Sequence, residues 1–276
     1  MKELIWAETY KMFKQGKTYY ALLAIFIIEV IVLFSAYYQG SSIIDILLDN
    51  LKQSFYFEGN LLNGNLLVYL ILNTLWFHLP LILMIVISGM LTAEYKDNTI
   101  QSVMLQPVSK WKFLLSKYLV AITFTLLTVF FLALSAMLFS YTIFGKGDLI
   151  VYLDTLNFFS NEEAFTRILW AFLCGTFSMI FFSVVSLTLA VIFKESTKTW
   201  IISALFLIIS NMLLKVDFDN EILDRFLFFK LNDTWQFLFY YEIPWQLIYS
   251  NCLVLLAYSI ISAAIGIFIF NKQDVG

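Results

Sequence analysis

Two apolar runs, 66–92 and 118–144, each exceed the roughly 20 residues that a helix needs to cross a bilayer. Between them lies one polar island, AEYKDNTIQSVMLQPVSKWKFLLSK, at 93–117. In hydrocarbon every backbone N–H and C=O must be satisfied within the chain, so such runs fold as helices. The island carries Lys96, Lys110, Lys112 and Lys117 against Glu94 and Asp97. A short lysine-rich loop between two spans belongs on the cytoplasmic face. The island also has helix chemistry of its own. Asn98 or Thr99 caps a short helix, Ile100 to Leu105 continue it, and Pro107 stops it. Such a helix, held at both ends, is a handle that a soluble partner can push. The plainer alternative is a connector and nothing more.

The whole chain follows the same logic. Of its 276 residues 61% are hydrophobic and 13% charged, where a soluble domain is about half apolar and a quarter charged. This predicts an all-α polytopic membrane protein, one transmembrane domain over 1–276. Its six spans fall at about 19–38, 66–92, 113–144, 164–193, 199–214 and 244–270. Lys2, Lys11, Lys14, Lys17, Lys96, Lys110, Lys112, Lys117, Lys194, Lys198 and Lys272 then lie on one side of the membrane. Lys52, Lys146, Arg167, Lys215, Arg225 and Lys230 lie on the other. The excess of basic residues places both termini inside. A net charge of −3 gives no reason to expect a nucleic-acid partner.

Residues 1–18 read as an interfacial amphipathic helix. Ile5 or Trp6, Thr9, and Met12 or Phe13 form the apolar face, Glu3, Glu8, Lys11 and Lys14 lie elsewhere, and Gly16 ends or bends the helix. Trp6, Tyr10 and Phe13 suit the headgroup layer, and the lysines suit an anionic membrane lipid surface. The first apolar run is too long for a cleavable signal peptide and lacks a small-x-small site.

Ionisable groups inside spans mark function or polar packing. Glu29 lies mid-span and His78 is the only histidine. Either is a candidate for a translocation path. The alternatives are a neutral carboxyl hydrogen-bonded to a neighbouring helix and one interhelical bond from the histidine. Pro80 should kink span two.

Between spans one and two, 39–65 reads as an outer loop. Ile43 to Leu51 form a short surface helix capped by Ser41 or Ser42, and Gly59 and Gly64 loosen the rest. Residues 145–163 read as a second outer loop. In span four Gly175, Ser178, Ser183, Ser186 and Ala190 allow close helix approach, within the bundle or between two copies. Arg167 snorkels to the headgroups. The stretch 215–242 is aromatic but too charged to span, and reads as a helix lying in, or dipping into, the outer interface.

Cys174 and Cys252 read as small buried hydrophobes, and a lone histidine leaves no metal site. There is no Gly-x-x-x-x-Gly-Lys-Ser/Thr, HExxH, Cys-x-x-Cys or Gly-x-Ser-x-Gly, so the chain binds no nucleotide or other cofactor of its own and is not an enzyme.

Glu94, Thr99, Pro107-Val108-Ser109-Lys110 and Lys117 resemble the intracellular loop of ABC-2 type permeases, the membrane subunits of ATP-driven exporters. That loop runs from an acidic residue through Gly-Thr and an apolar turn to Pro-Val-Ser-Arg/Lys, then to a Lys opening the next span. Here Asn98 replaces the Gly, and Asn also tolerates left-handed backbone. The ending FIFNKQDV, Phe268 to Val275, is similar to the family's closing Phe-x-basic-basic-Asp-apolar, with Gln273 in place of one basic residue.

The resemblance implies a cell-membrane exporter built from two permease copies and two copies of a separate ABC ATPase subunit that binds ATP and Mg. Coupling would run through the loop at 93–112, with Glu94, Asp97, Asn98, Thr99, Ile100, Gln101, Met104, Pro107 and Lys110 as its residues. The segment 215–242 would form part of an outer gate. Abundant aromatic residues suit an amphiphilic cargo such as a drug, an antimicrobial peptide or a lipid-like molecule, although lipid-facing packing explains most of them. The alternative is a non-transporting membrane protein with an immunity or scaffold role.

Overall fold

A computed structural model describes residues 1–52, 61–153, 155–214, 216 and 227–273. Among the described residues six helices are long and apolar enough to cross a membrane, in the order predicted. After a short α1 (Lys2–Lys14) come α2 (Gly16–Lys52), α3 (Gly64–Lys96), the small α4 (Thr99–Met104) and α5 (Lys110–Phe144). A hairpin of β1 (Leu149–Leu153) and β2 (Thr155–Phe159) follows, then α6 (Asn161–Phe193), α7 (Ser196–Leu214), a 3-10 helix (Thr234–Phe239) and α8 (Trp245–Lys272). In the apolar windows 56% of α3 and 67% of α6 is buried, against 22% of α2, α7 and α8. The fold is therefore built on the α3–α6 pair, and the other spans present most of their surface outward.

Small residues decide how closely that pair packs. Gly175 of α6 leaves room for Trp76 of α3, where a Cβ would lie only 2.0 Å from the indole ring. Ser183 shares a 2.8 Å hydrogen bond with Thr125, and Ser186 donates to the Met84 carbonyl at 2.6 Å. Ala190 is fully buried. The stripe of small residues on span four is thus a contact within the bundle, which resolves the choice that sequence left open.

Four features mark the outer connections. First, the apolar span of α2 ends at Gly40, close to where it was placed: the helix breaks at Gln39 (φ −126°, ψ 22°), and the expected short helix follows as a separate stretch that runs to Lys52. Residues 53–60 of that loop lie outside the described residues. Second, Gly64 loosens nothing. It opens α3, where a Cβ would meet the Gly145 carbonyl at 2.6 Å, and its N–H donates to that oxygen at 2.8 Å. Beside it Asn63 and Asn65 donate to the carbonyls of Asp148 and Gly147 at 2.7 and 2.6 Å.

Third, part of 145–163 is a β-hairpin, with Leu149 opposite Phe159 and Val151 opposite Asn157. Its inner face, Leu149, Val151, Asn157 and Phe159, is buried, while Tyr152 and Phe158 face out. That alternation over β-branched and aromatic residues is a strand signal that the charges flanking it obscured. Fourth, the described part of 215–242 is not an interfacial helix. Residues 228–233 form turns, the 3-10 helix follows, and 217–226 lie outside the described residues. Phe229, Trp235 and Phe239 are buried inside the protein. Trp235 packs on Trp76 at 5.0 Å, and Phe228 stacks on Phe206 of α7 at 5.2 Å. The Asn232 carbonyl accepts from Trp76 Nε1 at 3.3 Å and from Ser178 at 3.2 Å. Ser178 lies near the middle of α6, roughly 22 Å from its end at Phe193 at 1.5 Å per residue. The segment therefore re-enters the bundle. Irregular backbone is tolerated at that depth because protein side chains satisfy it.

Candidate functional site

Glu94, the last acid of α3, lies in a buried ion network at the lysine-rich end of the bundle. The helix before it and the helix after α4 place it there. Lys117, one turn into the apolar part of α5, is fully buried. Its ammonium meets Glu8 Oε2 at 2.5 Å, Glu94 Oε1 at 3.0 Å and the Met90 carbonyl at 3.1 Å. Lys11 bridges the same two acids, at 2.8 Å to Glu8 Oε1 and 2.8 Å to Glu94 Oε1. Two carboxylates and two ammonium groups thus join α1, α3 and α5. The charge balances, which is what burial demands.

Sequence reading placed Glu8 among the outward charges of α1, and the structure corrects this. Glu8 and Met12 are one turn apart, both are buried, and Trp6, Tyr10 and Phe13 are exposed. An acid takes the apolar face because Lys117 and Lys11 are there to pair with it. α1 also ends one residue earlier than expected: Gln15, not Gly16, is extended, and the Thr18 hydroxyl caps the Met12 carbonyl at 2.7 Å. Burial pushes the Glu8 carboxyl up, but Lys117 and Lys11 outweigh that and hold it below its ordinary value of 4.5. For Lys11 burial acts to lower the ammonium's value, and the bonds to Glu8 and Glu94 outweigh it and raise it above 10.5.

α4 follows this network in the chain. Asn98 has left-handed backbone (φ 53°, ψ 18°), the conformation for which Asn substitutes for Gly. It stands at the N-cap without a side-chain bond, so it turns the chain and does not cap it as predicted. The Thr99 hydroxyl instead donates to the Glu94 carbonyl at 3.4 Å. The helix stops at Met104, before Pro107.

Among the residues assigned to coupling, the structure divides two groups. Ile100 is buried and Met104 half-buried against the core, so they seat the helix. Asp97, Asn98, Thr99, Gln101 and Pro107 are exposed, and Lys110 is half-buried with its ammonium on the Gln273 carbonyl at 2.6 Å. Leu105, which the sequence reading did not single out, is 89% exposed at the tip. Its position just after a short helix was the available signal.

The two intramembrane candidates lie apart from this network and from each other. Glu29 is buried and accepts from Ser135 of α5 at 2.8 Å. Its other oxygen has no partner, and among the described residues no cation pairs with it. A neutral carboxyl suits that setting at far lower cost than an anion. Glu29→Gln keeps the acceptor for Ser135 and is expected to fold with unchanged yield and a melting point close to the parent's. A loss above about 1 kcal/mol, the worth of a typical hydrogen bond, would mean the acid itself is needed. His78 is exposed on α3, and Nδ1 lies 2.8 Å from the Thr74 carbonyl of the same helix. Among the described residues it makes no interhelical bond, because the ring is exposed on the outside of the bundle. α3 runs without interruption through Pro80.

At the hairpin end, Arg167 is buried and does not snorkel. It donates to the carbonyls of Leu238, Tyr240 and Tyr241 at 2.6, 2.7 and 3.3 Å and pairs with Glu163 at 2.7 Å. Its guanidinium lies 4.2 Å from the centre of the Phe159 ring. One arginine therefore fastens the re-entrant segment to α6. Beside that segment a cavity of about 440 Å³ opens between α3 and α7, lined by Asn73, Trp76, Phe77, Asn211, Asp233, Trp235 and Gln236 among others.

The fold and the site define a class: a six-span helical membrane protein with a short helix seated on its core between spans two and three, beside a buried charge network that joins α1, α3 and α5. Residues 4–211 match the family described as ABC-2 family transporter protein, and the chain belongs to that family. It is accordingly a membrane permease of the kind that works with an ABC ATPase subunit. No curated protein matches the chain.

Proposed function

We propose that this chain is the permease subunit of an ATP-driven exporter and that its lysine-rich end faces the cytoplasm. Two copies would assemble with a separate ATPase pair, and the exposed edge of the α4 loop, Asp97 to Gln106, would dock on the ATPase. The observation that carries this reading is how α4 is seated: Ile100 is buried in the core with Val103 and Met104 packed against it, and the Thr99 hydroxyl bonds the carbonyl of Glu94, the residue that Lys11 and Lys117 pair with at the end of α3. A helix anchored in that way passes on a push that a loose linker would absorb. The cavity beside Trp76 and Trp235 mixes indole rings with amide side chains, and such a lining favours a cargo with both apolar and polar parts. Amphiphilic peptides, drugs and lipid-like molecules fit that description.

The test is replacement of Thr99-Ile100-Gln101-Ser102 by a Gly-Ser linker, read by co-purification with the ATPase subunit and by substrate-stimulated ATP hydrolysis. The variant is expected to insert in the membrane as the parent does. It should lose the ATPase subunit, or hold it without stimulated turnover. Parental binding and transport in that variant would leave the loop a plain connector.

A further inference from the structure

The buried network at the lysine-rich end is neutral: the carboxylates of Glu8 and Glu94 balance the ammonium groups of Lys11 and Lys117. Lys17 stands beside it and is the charge that this balance leaves over. It lies in the first turn of α2, half-buried, and its side chain runs along α3 at Gly89. A Cβ at Gly89 would lie 2.3 Å from Lys17 Nζ and 3.2 Å from Cε, so the glycine is what opens the slot. Gly89 is seven residues before the end of α3 at Lys96, about 10 Å inside that end. The next residue, Met90, accepts from Lys117 on its carbonyl at 3.1 Å. The two ammonium groups thus lie against adjacent residues of one helix, and Lys117 repels Lys17. Among the described residues the acid that acts on Lys17 is Asp97, which is exposed, and Lys17 makes no hydrogen bond or ion pair. A cation drawn partly out of water without a counterion is costly, and an anion from outside removes that cost.

We infer that the slot between the first turn of α2 and Gly89 of α3 seats the headgroup of an acidic phospholipid, whose phosphate pairs with Lys17. The surplus is one positive charge. A headgroup with net negative charge cancels it, whereas a zwitterionic headgroup brings a cation of its own. Lys17 is only half-buried, so its ammonium is reached from outside. One turn further along α2, Tyr20 is 74% exposed, and Leu23 follows at 51%. These side chains suit the glycerol and acyl parts of a lipid, where a free ion would need water. The inference goes beyond the ATP-driven reading and needs only the chain itself.

The full chain is placed in nanodiscs of equal parts phosphatidylglycerol and phosphatidylcholine, and the lipid that stays bound when the disc is stripped away is counted by native mass spectrometry. The parent is expected to keep phosphatidylglycerol over phosphatidylcholine by at least about fivefold, the preference that one lysine at an anionic surface supplies. Lys17→Met keeps the length of the stem, removes the charge and should bring the ratio close to parity. Gly89→Ala leaves the charge in the chain but fills the slot, and should lower the ratio too, so a folding failure in one variant leaves the other to decide. Lys14→Met removes an exposed lysine three residues away and should keep the parental ratio. Melting is a second readout. In discs of phosphatidylcholine alone Lys17→Met should melt no lower than the parent, because it removes an uncompensated charge. Adding phosphatidylglycerol should then raise the melting temperature of the parent and not of Lys17→Met. Parental preference in folded Lys17→Met or Gly89→Ala would overturn the inference. Equal loss in Lys14→Met would overturn it as well, by marking a diffuse basic surface. If inorganic phosphate in neutral discs stabilises the parent as much as phosphatidylglycerol does, the slot takes a free anion and the lipid assignment falls.

Discussion

Lys117→Met is expected to cost about 3–5 kcal/mol of folding stability, the range for breaking a buried ion pair by removing one partner. Methionine fills the same volume, so the loss would come from Glu8 and Glu94, left in the core with Lys11 as the one cation bonded to them among the described residues. Thermal unfolding in detergent and folded yield would measure it. The variant Glu8→Leu together with Lys117→Met removes an acid along with the base and is expected to recover much of the loss, because a matched buried pair adds little net stability. A Lys117→Met protein as stable as the parent would mean the network is solvated and not buried. The network also sets a pH window. Glu8 is held below 4.5, so its contribution is complete above that value and is lost as pH falls through its folded value. Lys11 is held above 10.5, so its contribution is complete below that value and is lost as pH rises through its folded value. Docking of α1 should therefore be strongest between these limits and weaken first in acid, measured as faster amide exchange in residues 2–14.

Arg167→Leu is expected to free the re-entrant segment. It removes the donor to three backbone carbonyls, and a buried polar group left without a partner costs about 1–3 kcal/mol. Hydrogen exchange across 238–241 should accelerate strongly while α3 and α6 keep their protection. Arg167→Lys should recover little, because an ammonium lacks the planar fork that reaches three acceptors and lies over Phe159. Unchanged exchange at 238–241 in Arg167→Leu would show that Trp235 and Phe239 hold the segment alone.

Much of the architecture was legible in the residues. Each span is long and apolar enough that no other fold satisfies its backbone in hydrocarbon, so number, order and approximate bounds followed from composition alone. The α4 loop was legible as well, since Asn98, Pro107 and the flanking lysines carry their own local rules. What misled was any residue whose role depends on a distant partner. Glu8 and Arg167 are charges near a membrane end, where solvent exposure is the usual outcome. Each is buried because a complementary group more than 70 positions away meets it: Lys117 for Glu8, the carbonyls of 238–241 for Arg167. His78 was misread for the opposite reason, since nothing local says which way a side chain on an apolar helix points.

The sequence by itself therefore determined that this chain crosses the membrane six times, and that one short helix stands exposed between spans two and three. Those properties depend on solvent preference and short-range backbone chemistry, which are written in consecutive residues. Tertiary structure alone decided that Glu8, Lys11, Glu94 and Lys117 form one network, and that 228–239 turns back into the bundle. Charge pairing, aromatic packing and backbone satisfaction across helices depend on which faces meet, and no local pattern in an almost uniformly apolar helix specifies that.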